Sequence, residues 1–243
     1  IQAVGESHAK INNTVEETQS LRGLQRAIYV KQGLKAGQIV TESDVYYAIP
    51  ALEATYVAND FSKYTVFETT THVSKDEALT TDNARLIDKR QAVREIVDSV
   101  RVFLASTSVV VPDGRILEIS HHYGLSQFSE TGLVMATVVN EEYCKKLLIM
   151  LPGQRHPEQY HKKKKESFHV LHGKVTLGLD SVENTYGPGE VITIEPNVRH
   201  AFHSREGCVI EEISSTHHVD DSFYTDEAIT NSKNRKTFVT FWR

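Results

Sequence analysis

Apolar positions along the chain follow three successive patterns. Residues 1–21 are polar and lack a clear period, which predicts an irregular leader. Over 22–82, short β-branched and aromatic runs such as "RAIYV" and "YTVFETTTHV" alternate with glycines and polar turns, the signature of a small β-rich domain. Within it "TESD" offers Thr41 or Ser43 as a helix cap. From Asp82 the period changes. Val93, Ile96, Val97, Val100, Phe103 and Leu104 fall on one stripe at i, i+3, i+4, i+7, i+10 and i+11. That spacing predicts an amphipathic linking helix over 83–107, capped by Asp82 or Asn83. Over 108–243, beginning with "SVVVPDGRILEISHHYG", short strands recur roughly every ten residues between turns such as "PDG" and "GPGE". This is the pattern of a sandwich or barrel, and the fold class expected for the chain is mainly β.

Charge narrows the function classes. A formal net charge of −5 and a pI of about 6.2 give no overall attraction to nucleic acid or to an anionic membrane. No apolar run approaches the length needed to span a bilayer, and "IQAVGESHAKINN" is no signal peptide. Cys144 and Cys208 are too few for a disulfide framework and form no CxxC pair, so both are read as structural and a cytoplasmic location is expected. Because Ile1 is not a start methionine, the chain is expected to be a piece of a longer protein.

The chemistry concentrates in "GQRHPEQYHKKKKESFHVLHG", residues 153–173. On a strand, Gln159 and His161 point to one face. A turn through the lysines returns the chain so that Glu166 meets them, and "GPGEVITIEPNVRHAF" brings His200 to the same place. Two imidazoles, a carboxylate and an amide oxygen suit a divalent first-row ion such as Zn, Mn, Fe, Ni or Co. His156 ranks below Gln159, because three residues of separation put it on the other face unless "PEQ" bulges. His169, His172 and His203 alternate away from the interior. The doublets His121–His122 and His217–His218 can each turn one member inward. Adjacent Glu211 and Glu212 must face opposite sides of a strand, so one of them is available as a carboxylate base.

These residues resemble the paired motifs of the cupin superfamily, whose first motif is G(X)5HXH(X)3-4E(X)6G. Every spacing matches, with Gln159 in place of a histidine, and Asn197 stands near the customary glycine of the second motif. The resemblance implies a double-stranded β-helix, or jelly roll, over 108–243 and a metal held by Gln159, His161, Glu166 and His200. Lys164 also matches an HxHxxKxE pattern similar to that of cupin sugar isomerases of the lyxose isomerase type, where it would polarise or protonate a sugar oxygen. Lys162, Lys163 and Lys165 are read as surface charges.

A broader resemblance covers 22–243. "LQRAIYVKQGLKAGQIVTESDVYYAIP" is similar to the SAF, or antifreeze-like, domain of sialic acid synthases, and the C-terminal segments resemble a cupin extension of that family. Ala48, Ile49 and Pro50 stand where that domain carries a sugar-contacting arginine. This resemblance implies a metal-binding cupin that recognises or modifies a sugar, an absent N-terminal catalytic barrel as partner, and a homo-oligomer. The alternative is an active cupin isomerase or epimerase in which Lys164 and Glu211 or Glu212 act as acid and base.

Overall fold

The structure is a computed structural model that describes residues 13–218, 220–232 and 235–242. It divides into two compact units, residues 1–90 and 91–243. The elements of the first are α1 (Val15–Gly23), β1 (Ala27–Val30), β2 (Ile39–Val40), β3 (Val45–Ala48), β4 (Thr65–Thr69) and β5 (Ala84–Asp88). Strands β1 and β3 form one antiparallel pair, and β2-β4-β5 form a second small sheet. Strand β4 turns Thr65, Phe67 and Thr69 inward and Val66 and Glu68 outward. Its inward face joins Ile28, Val30, Leu34, Val45, Val73 and Leu79 in an apolar core.

Three local expectations change here. Residues 1–12 of the expected leader lie outside the described residues, but Val15–Gly23 is helical. Thr14 and Glu17 explain why, since each side chain accepts from the other's backbone N–H in a capping box. "TESD" makes only one 3-10 turn, Glu42–Asp44, which the Asp44 carboxylate closes by accepting the Thr41 N–H. Residues 84–88 are strand rather than helix, because they complete a ladder with β4 in which Arg85 pairs with Glu68 at 2.6 Å.

Helix α2 therefore starts later, at Arg90–Ala105, where the Asp88 carboxylate accepts the Arg90 N–H in place of the expected Asp82 or Asn83 cap. Its stripe buries Val93, Ile96, Val97 and Val100. Beyond it lie β6 (Leu117–His121), α3 (Phe128–Thr131), β7 (Gly132–Asn140), β8 (Tyr143–Met150), β9 (Arg155–Tyr160), β10 (Glu166–Gly173), β11 (Val175–Leu179), β12 (Val182–Tyr186), β13 (Val191–Ile194), β14 (His200–His203), β15 (Cys208–Ser215), β16 (Phe223–Tyr224), α4 (Glu227–Asn231) and β17 (Lys236–Val239). They form two antiparallel sheets, ordered β13-β10-β15-β8-β7-β6-β17 and β12-β11-β14-β9-β16. This is the expected jelly roll. Leu148, Met150, Phe168 and Ile210 of the larger sheet meet Leu177 and Phe202 of the smaller one in a shared core. Cys144 and Cys208 are free and buried within this unit.

Two motif glycines serve the backbone. Gly153, at φ +85°, makes the turn between β8 and β9. At Gly173, with φ +71°, an added Cβ would lie 2.1 Å from the Gly207 carbonyl oxygen, so only glycine lets β10 approach the start of β15. The two glycines thus bracket the segment that carries the site.

A candidate metal and sugar site

The turn after β9 sorts the residues of "HKKKKE" by direction. Asp221 anchors it, accepting the backbone N–H groups of Lys162, Lys163 and Lys164 on its carboxylate. In this conformation His161, Lys164 and Glu166 point inward and are buried. Lys162 lies over the Phe223 ring, and Lys165 pairs with Glu195 at 2.5 Å. Lys163 is exposed.

Two carbonyls fix the histidine tautomers. His161 Nδ1 bonds the Asp221 carbonyl and His200 Nδ1 bonds the Val198 carbonyl at 3.1 Å. A carbonyl only accepts, so both Nδ1 atoms carry the proton and both Nε2 atoms present lone pairs. The Nε2 atoms converge on Glu166 Oε1, His200 at 3.2 Å and His161 at 3.7 Å. The three ligand atoms lie within 4.8 Å of one another. His161 Nε2 and Glu166 Oε1 are buried without a hydrogen-bond partner, which is rare for polar atoms in a folded interior. Two imidazole nitrogens with free lone pairs and a buried carboxylate oxygen, two of these atoms without another partner, are a donor set that would suit a divalent transition ion. The Gln159 amide nitrogen is 3.3 Å from His200 Nε2, and half a turn of the amide would present its oxygen to the same point.

Beside the donor set lies a buried ionic triad. Lys164 Nζ is 2.5 Å from Glu166 Oε2 and 2.8 Å from Glu212 Oε1. Burial opposes the lysine's charge, but Glu212 and Glu166 outweigh it and hold the ammonium above its ordinary value. Burial likewise disfavours the Glu166 anion, yet the Lys164 ammonium keeps its carboxyl well below the usual range.

Strand alternation separates the glutamate pair. Glu212 is buried and lines the pocket, whereas Glu211 lies on the other face of β15, 2.6 Å from Lys145 and within 3.3 Å of His169. The lysine pair on β8 divides the same way, with Lys146 turned in beside its register partner Glu212.

His156 departs from its expected direction. It lines the same pocket as Gln159, because the β9–β14 register shifts between His200 and Phe202 and spaces His156 and Gln159 three apart against two on β14. Its ring stacks on Phe202 at 4.6 Å, outside the three-ligand group, and burial pushes its pKa far down. Both members of the first doublet are buried, since His122 follows the end of β6 and alternation stops there. His122 bonds the Thr131 carbonyl and the Tyr224 hydroxyl, and burial lowers its pKa to about 4. In the second doublet His217 lines the pocket while His218 is exposed. His169 and His172 are half-buried and His203 is exposed.

The pocket holds about 530 Å³ of space, its open mouth included. Sequence reasoning missed Asp221 and the pocket residues Lys146, Tyr224, Arg235 and Lys236. Only Lys146 left a local signal, a charge at the start of the apolar run "LLIM".

Residues 146–210 match the family model described as "Cupin domain". The chain is 30% identical over 172 residues to a D-lyxose/D-mannose isomerase of Thermosediminibacter oceani, covering 58% of this chain and 94% of that protein. The chain belongs to this isomerase family. A D-lyxose ketol-isomerase of Cohnella laeviribosi is 29% identical over 136 residues, covering 44% of the chain and 75% of that relative. The fold of an Acinetobacter sp. DL28 L-ribose isomerase mutant in complex with L-ribose matches with a TM-score of 0.50 at 13% identity, over 61% of this chain and 96% of that one. These isomerase relatives favour the isomerase alternative over the sialic acid synthase reading, and they lend no support to the SAF assignment of residues 22–82 or to the partner barrel. Among the described residues no helix is long and apolar enough to cross a membrane.

Proposed function

We propose that the second unit is a metal-dependent aldose–ketose isomerase. The observation that carries this reading is the buried Lys164–Glu212 pair set against the His161, Glu166 and His200 donor group in a member of an isomerase family. A divalent ion held by those three residues, with Gln159 as a fourth ligand, would polarise the sugar's carbonyl and neighbouring hydroxyl oxygens.

The protein's own groups then supply the proton transfers. Glu212 takes the proton from C2 of the aldose, and the released electron pair forms the C1–C2 double bond while Lys164 gives a proton to O1. The enediol collapses in the other sense, with Glu212 returning its proton to C1 as O2 becomes the carbonyl and its hydroxyl proton goes to Lys164. Both groups end as they began. Lys164 also donates a hydrogen bond to Glu212 Oε1 at 2.8 Å, which fixes the position of the carboxylate that acts as base. Glu211 has no part in this scheme, because its carboxylate belongs to Lys145 and His169 on the outer face.

The test is isomerisation of D-lyxose and D-mannose by the chain loaded with Mn²⁺, compared with chain stripped by chelator. Activity should require the metal, fall by roughly 10²–10⁴-fold in Glu212→Gln, and persist in Glu211→Gln. Solvent deuterium should enter C1 of the ketose during turnover. Sugar binding by a metal-loaded chain that exchanges no carbon-bound proton would replace the enzyme with a recognition module.

A further inference from the structure

The pocket carries four cations, Lys146, Lys164, Arg235 and Lys236, against two carboxylates, Glu166 and Glu212. Both carboxylates are engaged by Lys164 at one side, on β10 and its neighbour β15. The remaining cations follow across the same sheet, with Lys146 on β8 and Lys236 on β17, three strands further along; Arg235 immediately precedes β17. A divalent ion at the histidines would deepen the positive excess.

Two of these cations make no ion pair among the described residues. Lys146 is only 4% exposed and makes no ion pair among the described residues. Arg235 lies over the Tyr224 ring at 4.8 Å, and its Nη1 is buried without a hydrogen-bond partner; no carboxylate pairs with it among the described residues. Lys236 is held by Glu118 at 2.6 Å. Burying an ammonium or guanidinium is unfavourable unless an anion meets it. A neutral sugar offers hydroxyls, which accept hydrogen bonds without balancing the charge. A phosphate or carboxylate does both, and a guanidinium fork matches either one in bidentate fashion.

We propose that the pocket takes a sugar bearing an anionic group, a phosphate or a carboxylate, whose charged end is held by Arg235, Lys146 and Lys236. The placing of its carbonyl end at His161, Glu166 and His200 rests on the isomerase reading; the anionic end rests on the cations alone.

Isothermal titration of the Mn²⁺-loaded chain with D-mannose, D-mannose 6-phosphate and D-mannuronate tests this. At least one anionic sugar should bind about ten- to a hundredfold tighter than D-mannose, with the phosphate and carboxylate arms telling which group is recognised. Arg235→Met and Lys146→Met should each reduce that preference about tenfold, whereas Lys174→Met, at an exposed lysine outside the pocket, should leave it intact. Should Arg235→Met fail to fold, Arg235→Lys keeps the charge, loses the fork and should lose part of the preference. Equal or weaker binding of both anionic sugars overturns the inference, as does a preference that survives both pocket variants. Turnover separates the two readings. Tight binding of an anionic sugar without interconversion removes the isomerase and leaves the anion site, while turnover of D-mannose without anionic preference does the reverse.

Discussion

The two units use their interiors differently. Among the described residues of the first, the buried polar side chains are Thr55, Thr65, Thr69 and Asn83, all neutral. The second buries Lys146, Lys164, Glu166, Glu212 and Asp221 together with five histidines. Neutral polar groups are readily satisfied by backbone partners, as when Thr69 Oγ1 donates to the Lys35 carbonyl at 2.6 Å. Buried charges are costly and persist where other charges, metals or ligands compensate them. The first interior is thus organised for packing, and the second gathers charged and titratable groups.

Replacing His161 with alanine should break that contrast most severely. Metal content measured by mass spectrometry should fall well beyond the roughly 10–100-fold loss in affinity that accompanies loss of an outer partner. Unchanged stoichiometry would remove His161 from the ligand set. Phe67→Ala, in the first core, should cost about 3–5 kcal/mol in urea unfolding of that unit and leave metal content as it was; metal lost in this variant would mean that the two interiors are not independent.

Acid should distinguish the units next. His122 titrates near pH 4 in the folded protein against an ordinary value of 6.5 for an exposed histidine, with burial as the main cause. Its contribution is complete above pH 6.5 and is lost as pH falls towards 4, because only the unfolded chain takes up the proton in that window. The stability of the second unit should therefore decline by up to about 1.4 kcal/mol per pH unit from this residue, and His122→Gln should flatten the slope in urea midpoints between pH 7 and 4.5. An unchanged slope would show that His122 is charged when folded or neutral when unfolded. The smallest effect expected is that of Asp221→Asn. It weakens the anchor of the 161–164 turn and should lower metal affinity about 10–100-fold while the unit stays folded, a difference that competition with a chelating dye would resolve.

What can be read in the sequence follows the range of the interactions. Gly153, Gln159, His161, Glu166 and Gly173 lie within one hairpin-sized segment, where spacing dictates which side chains converge. His200 is reachable through a second short motif. Lys146 and Arg235 meet the site only through strand order in a seven-stranded sheet, which no local spacing encodes. Local errors have local causes. Ala84–Asp88 continues smoothly into the apolar stripe of α2, yet its pairing with β4 prevails over helical continuation. Simple alternation puts His156 on the wrong face because the register shift opposite β14 is set by the partner strand. At α1 the signal is present in "TVEE", and the lack of an apolar face conceals it.

Glu166 gives one oxygen to Lys164 and turns the other towards the histidines. The lysine keeps that carboxylate ionised and oriented through a contact that needs no ion in the donor group, so the protein's own charges set the socket. A divalent ion would then meet a carboxylate already turned to receive it, and the types of donor rather than a rearrangement of the fold would select among ions.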